Sequence, residues 1–172
     1  MESAKWHRMA AEQGNAQSQC SLGILYFGGL GVLQNYVQAV EWFRSAAEQG
    51  DANAQSWLGS CYVDGQGVSQ DYAEAVQWFC KSTEQGNIYA LKQLGICYFN
   101  GTGVSEDKAK AVELYYRAAE QGDADSQRLL GECYYYGWGV PENDAEAIQW
   151  LRLAKEQGIE AAAQLLYEIE GE

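Results

Sequence analysis

Apolar and small residues fall at helical spacing along this chain. In residues 51–86, Ala54, Leu58, Cys61 and Tyr62 lie three and four apart, which predicts one buried face of a helix from Ala52 to about Asp64. Asp51 stands immediately ahead at the N-cap position, and Asn15, Asn87 and Asp123 hold the same place in the sister segments. Gly65-Gln66-Gly67 stops the helix and allows the positive φ angles of a turn, after which Val68 returns to the core as an apolar plug. A second helix is predicted from about Tyr72 to Glu84, with Ala75, Val76, Phe79 and Ser82 inward and Trp78 alongside. Gln85-Gly86 ends it and opens the next segment.

This two-helix pattern recurs every 36 residues. Gly14, Gly50, Gly86, Gly122 and Gly158 each close a Glu-Gln-Gly triplet; Gly23, Gly59, Gly95 and Gly131 keep the same beat, as do Gly31, Gly67, Gly103 and Gly139, and Tyr26, Tyr62, Tyr98 and Tyr134. Such a period marks a solenoid, in which each unit buries its apolar face only against its neighbours. Gly59 falls in mid-helix, where glycine costs roughly 1 kcal/mol against alanine. Its recurrence in every full unit predicts a helix packed too close for a Cβ, hence a tight antiparallel hairpin. The expected fold is all-α, a right-handed superhelix of stacked hairpins in one continuous array. Residues 1–14 read as the second helix of a truncated repeat, residues 15–50, 51–86, 87–122 and 123–158 as four repeats, and residues 159–172 as a C-terminal capping helix. In that last segment Ala162 and Leu166 keep the first-helix beat, while Tyr167 stands in place of Gly and Glu168, Glu170 and Glu172 make the stacking face polar.

The pattern Ala-x-x-x-Leu-Gly-x-x-Tyr-x-x-Gly-x-Gly-Val, followed by Asp-Tyr-x-x-Ala-Val-x-Trp-Phe, resembles the Sel1-like repeat family, relatives of tetratricopeptide repeats with a longer turn between the helices. The second repeat carries it as Ala54, Leu58, Gly59, Tyr62, Gly65, Gly67, Val68, Asp71, Tyr72, Ala75, Val76, Trp78 and Phe79. Departures are local: Leu114 stands where the others have Trp, and Lys155 replaces an alanine. The resemblance implies an adaptor that assembles protein complexes, and some bacterial members resemble immunity proteins that neutralise secreted toxins. It implies no cofactor and names no partner.

Charge narrows the partner. The chain carries a net charge of −13 over 172 residues. That disfavours nucleic acid, whose binding draws its affinity from neutralised phosphates, and equally an anionic membrane surface. A protein or peptide partner, neutral or basic, fits better, although an acidic surface also serves solubility alone. No apolar run is long enough to span a bilayer, and the first residues contain no signal-peptide core. Unpaired cysteines favour a reducing, cytoplasmic compartment; a start inside a repeat leaves a periplasmic or secreted location open, together with the full repeat number and the oligomeric state.

In tetratricopeptide-like arrays the first helix of each hairpin lines the concave groove. With Leu22-Gly23-x-x-Tyr26 as the buried frame, the neighbouring positions are groove candidates: Gln17, Cys20, Ile24 and Phe27; Asn53, Trp57, Ser60, Val63 and Asp64; Tyr89, Lys92, Ile96, Phe99 and Asn100; Asp125, Arg128, Glu132, Tyr135 and Tyr136. Frame positions barely change between repeats, whereas these vary in charge and shape, as a surface for one ligand would. Tyr and Trp are enriched among interface residues that each contribute about 2 kcal/mol or more. Trp57, Tyr89 and Tyr136 are the expected anchors, because their sister positions hold Ser21, Asn53 and Gly28, and Trp138 adjoins them in the turn. Phe27 and Phe99 are expected to fold back onto the turn instead.

Catalytic and metal chemistry find no support. Cys61, Cys97 and Cys133 sit one period apart on successive first helices, which lie about 8–10 Å apart, beyond the ~7 Å reach of a disulfide. Leu25 fills the same slot, so each reads as a small buried apolar residue. The lone His7 occupies a slot held by Phe43, Phe79 and Tyr115, and without a Cys-x-x-Cys it leaves zinc too few donors. The Gly-x-Gly turns follow a helix, whereas a phosphate loop opens one after a strand. Glu12, Glu48, Glu84, Glu120 and Glu156 recur once per unit, as structural positions do. A non-enzymatic scaffold is the leading reading, and an inhibitor or immunity protein acting on a specific enzyme is the alternative.

Overall fold

The computed structural model describes residues 2–171, with side chains from residue 7 to 171. Met1, Glu172 and the side chain of Trp6, which the repeat pattern had also drawn in, lie outside the described residues. Ten helices follow in order: α1 (Glu2–Glu12), α2 (Ala16–Gly28), α3 (Tyr36–Glu48), α4 (Ala52–Asp64), α5 (Tyr72–Glu84), α6 (Ile88–Asn100), α7 (Lys108–Ala119), α8 (Ala124–Tyr136), α9 (Asp144–Glu156) and α10 (Glu160–Glu170). No strand occurs among the described residues. The chain forms two compact units, Met1–Ala90 and Leu91–Glu172.

Helices α2 to α9 each start where a side chain satisfies an orphan donor, whereas α10 starts after Ile159 without such a cap. Asn15, Asp51, Asn87 and Asp123 accept the amide N–H of Ser18, Ala54, Ala90 and Ser126 at 2.7–2.9 Å. The second helices are capped as regularly, by Asn35, Asp71, Asp107 and Asn143. The first helices end on a left-handed glycine, such as Gly65 at φ 68°, whose N–H returns to the carbonyl of Cys61. Gly67 serves a further purpose: a Cβ there would strike the Tyr36 carbonyl, so the turn of one repeat lies directly on the start of the preceding second helix.

In the first unit α1 packs on α2, α2 on α3, α3 on α4 and α4 on α5. Leu22, Phe43, Leu58 and Phe79 are fully enclosed. The second unit repeats the scheme, with α7 on α8, α8 on α9 and α9 on α10, around Tyr115, Leu130, Leu151 and Leu166. The mid-helix glycines reveal what comes close. A Cβ on Gly23, Gly59, Gly95 or Gly131 would stand 2.5–2.6 Å from Phe43, Phe79, Tyr115 or Leu151 of the same hairpin. The notch is therefore filled first by a side chain of the second helix, with backbone following at 3.2 Å for Gly23 and Gly131.

A buried polar column accompanies this core. Gln19, Gln55 and Gln127 donate to the carbonyls of Ala11, Ala47 and Ala119 at 3.1–3.2 Å and accept from Gln49, Gln85 and Gln157 at 2.6–3.0 Å. Each glutamine thus ties a first helix to both the preceding and the following second helix. Leu91 occupies the column in the third repeat, and there Gln121 turns back to the carbonyl of Arg117.

Candidate functional site

The first unit carries a cleft of about 300 Å³ lined by Asn53, Ser56, Trp57, Asn87 and Tyr89. Its floor is set by the hairpin core. Trp57 stacks on Phe43 with ring centroids 5.6 Å apart and planes within 8°, and Phe27 closes on it at 5.1 Å. Phe27 in turn packs edge-on against Tyr36 at 5.0 Å, so it serves the core, as expected. Trp57 does both jobs: one part of the ring belongs to the core cluster and another lines the cleft. Tyr89 is 46% exposed, and its hydroxyl lies 3.2 Å from the Ser60 oxygen.

The rim is an amide pair. Asn87 uses its carbonyl oxygen to cap α6 through the Ala90 N–H at 2.9 Å, and its Nδ2 donates to Asn53 Oδ1 at 3.0 Å. Ser56 is buried and donates to the carbonyl of Asn53 at 2.8 Å. Ser56 and Asn87 were not among the sequence candidates. Ser56 is the repeat equivalent of Cys20, Lys92 and Arg128, all of which were, so its column was the available signal; Asn87 was read only as a cap. Cys20 is corrected by the structure: it is buried beside Asp51, and burial, then the Asp51 charge and hydrogen bond, push its thiol up to about 12. It belongs to the core.

The second unit gathers the other aromatic candidates. Tyr136, 45% exposed, stacks on Trp138 at 4.6 Å and meets Tyr135 edge-on at 4.8 Å; Phe99 packs against Trp138 at 5.3 Å. Ile96 is half-buried against the Leu130 core. The charged candidates here are engaged within the chain. Lys92 bonds Asp125 at 2.7 Å and lies 3.6 Å from Asp123, and Arg128 pairs with Glu132 one turn on. Burial lowers the Lys92 pKa, but the hydrogen bonds and charges of Asp125 and Asp123 outweigh it, so the net shift is upward. The hydrogen bond from Lys92 holds the Asp125 carboxyl below its usual range. A small hollow of about 60 Å³ sits among Phe99, Leu129 and Trp138.

Cys61 and Cys133 are buried, and burial pushes both thiols up to about 12. Among the described residues no group of His, Cys, Asp and Glu is placed to hold a metal, and no helix is long and apolar enough to cross a membrane.

Helical hairpins of this kind, closed by a glycine notch within each hairpin, with the turns at Gly67 and Gly139 docked on the start of the preceding second helix, define a helical-repeat protein. The Sel1 repeat model matches residues 1–15, 16–51, 52–87, 88–123 and 124–159, and the chain belongs to the Sel1 repeat family. Sel1 repeats generally act as protein–protein interaction scaffolds and are typically non-enzymatic. The chain is similar to a protective antigen present in uropathogenic Escherichia coli strains and displaying an SLR fold, at 37% identity and a TM-score of 0.92 over 96% of this chain. A Sel1 repeat protein from Oxalobacter formigenes is 37% identical over 96% of the chain, with a TM-score of 0.88. The chain spans 36% of the Escherichia coli protein and 66% of the Oxalobacter one. An immunity protein from Pseudomonas aeruginosa shares the fold, at 22% identity and a TM-score of 0.62, over 93% of this chain and 59% of that one. No curated protein sequence matches the chain.

Proposed function

We propose that this chain is a non-enzymatic scaffold that holds a peptide or protein segment of its partner on its first-helix face. The observation that carries the reading is the cleft beside Trp57 and Tyr89, two rings at positions where the first repeat and the second hold Ser21 and Asn53. In the second unit Tyr135 and Tyr136 offer further half-exposed rings, and Ile96, Phe99, Lys92, Arg128 and Glu132 support them. Aromatic rings held by packing bury large area at little entropic cost, as interface anchors require. The test is an affinity pull-down from source-cell lysate with wild type and the Trp57→Ala, Tyr136→Ala double variant, followed by reconstitution with each purified partner. A partner retained by wild type and lost by the variant supports the assignment; equal retention by both overturns it.

A second reading has its own support. The net charge of −13 and the fold shared with an immunity protein fit an inhibitor of a basic target enzyme. An inhibitor would bind one enzyme tightly, with association that slows steeply as salt rises. An adaptor would bind several partners more weakly and with less salt dependence.

A further inference from the structure

We propose that the chain pairs with a second copy of itself through the turn edge of its first repeat, with Leu33 of each copy seated in a groove of the other. The inference does not depend on the scaffold reading, and it concerns a surface that shares no residue with the Trp57 cleft.

This edge is apolar where the fold asks for nothing apolar. Position 33 in the turn and position 37 at the start of α3 are exposed in every repeat: Ser69, Ser105 and Pro141 stand at the first, and Ala73, Ala109 and Ala145 at the second. The exposure therefore belongs to the repeat itself, and no neighbouring hairpin covers it. Only the first repeat places large aliphatic side chains at both positions. Leu33 is 89% exposed, and Val37 and the nearby Leu30 are each more than half exposed. A single exposed leucine is ordinary; a run of them along one turn marks an interaction surface.

The same edge holds a seat for its own most exposed residue. An open groove of about 510 Å³ is lined by Arg8, Tyr26, Val32, Leu33, Asn35 and Gln38. Leu33 forms its lip, so one patch offers both the knob and the hole, as a two-fold contact requires. The lining is neutral where sister repeats are charged: Asp71 and Glu74, then Asp107 and Lys110, stand at the positions of Asn35 and Gln38. Among the described residues that line the groove, Arg8 carries the one charge, and it is engaged, donating to the Tyr26 hydroxyl with its guanidinium 5.9 Å from that ring's centroid. Glu41, the first acidic residue beyond the groove, accepts from Gln38 at 2.7 Å.

Charge selects the second copy as the occupant. The chain carries −13, yet no Asp, Glu, Lys or Arg occurs from Gln13 to Val40. Two copies repel each other across most approaches and least across this edge. A basic partner would be drawn to acidic surface, which this edge does not offer. An uncharged apolar patch is complementary to itself with no opposite charges to arrange. A dimer built this way carries two Trp57 clefts, so a ligand that presents its motif twice would be held more tightly than by one copy.

The test is sedimentation equilibrium on the full chain, from about 1 μM to about 1 mM, the range in which weak complexes form. It is run at low and at high salt. The expected result is a monomer–dimer equilibrium that tightens as salt rises, because salt screens the repulsion between two acidic copies. Leu33→Asp should weaken the dimer at least tenfold, while Leu153→Asp, at an exposed leucine of the second unit, should leave it within twofold. Asn35→Asp keeps the cap of α3, as Asp71 and Asp107 do in the sister repeats, and places an anion in the groove; it should weaken the dimer as well. Far-UV circular dichroism checks that all three variants retain the fold. A chain that stays monomeric throughout would overturn the inference, as would a dimer that survives Leu33→Asp within twofold or is weakened alike by Leu153→Asp. Loss with Leu33→Asp but not with Asn35→Asp would overturn the groove as the seat of Leu33. A dimer that loosens as salt rises would overturn the charge-free contact.

Discussion

Gly59→Ala sets two opposed effects against each other. Alanine in mid-helix gains about 1 kcal/mol over glycine. Here the new methyl carbon would stand 2.6 Å from Cε1 of Phe79, 2.8 Å from Cδ1 and 3.0 Å from Cζ. Phe79 is fully enclosed, so its ring has no free volume into which to withdraw. Overpacking of this kind costs about 1–3 kcal/mol, which leaves a net effect between about 0 and 2 kcal/mol of loss once the helix gain is subtracted. Removing the obstacle reverses the sign. Phe79→Ala alone costs about 3–5 kcal/mol, but in that background the Gly59→Ala methyl enters vacated space and stabilises by about 1 kcal/mol. The double-mutant cycle should thus show a coupling of about 1–3 kcal/mol, the overpacking cost itself. Equilibrium urea unfolding followed by far-UV circular dichroism measures it, provided the slope with urea is unchanged among the four proteins. If Gly59→Ala stabilised the otherwise wild-type chain by its full helix propensity, the steric account of the repeated glycine would be wrong.

Three further outcomes follow from named contacts. Asp125→Asn should cost less than about 1 kcal/mol, because the carboxylate of the Lys92 pair is half exposed. Since the folded carboxyl titrates below its ordinary 3.8, the contribution is present above that pH and is lost as pH falls through the lower folded value; variant and wild type should converge in acid denaturation. Iodoacetamide at mildly alkaline pH should label half-buried Cys80 before Cys61 or Cys133, whose buried thiols are held near 12; labelling of Cys61 at a comparable rate would contradict their enclosure. Gln55→Leu should cost about 1 kcal/mol or less, because Gln85 keeps the Gly50 carbonyl at 3.0 Å, Ala47 keeps the Gly50 N–H at 3.0 Å, and Leu91 already fills this column elsewhere. A loss of several kcal/mol in chemical denaturation would show that the glutamine column is more than a local tie.

The helices were legible because periodicity and punctuation agree. Asp51, Gly65 and Gln85 bound α4 and α5 at the residues expected, and Val68 and Ser82 sit inward as their spacing required. The glycine notch was legible as a close approach, but not as a ring: nothing in one helix says which atom of the other fills it. The candidate site was read less completely. Trp57, Tyr89 and Tyr136 stood out because their sister positions are small or polar, and the structure leaves Tyr89 and Tyr136 half exposed. Cys20 was misplaced because one turn of helix separates groove from core and a cysteine suits either. The Asn53–Asn87 pair joins two repeats across 34 residues, and each partner alone looks like an ordinary helix-start residue. The charges on Lys92, Arg128 and Glu132 vary as ligand contacts would, yet they are spent within the chain: Arg128 on Glu132 at a helical i,i+4 spacing that the sequence already offered, and Lys92 on Asp125 of the next repeat, which spacing along one helix does not reveal.

The most direct measurement is site-specific photo-crosslinking of the full chain in its source cells. A benzophenone amino acid would replace Tyr89, Tyr136 or, as a control on a second helix, the exposed Tyr116. The account predicts a discrete protein adduct from positions 89 and 136 and none from position 116. Adducts from 116 alone, or from all three alike, would contradict the first-helix face as the interaction surface.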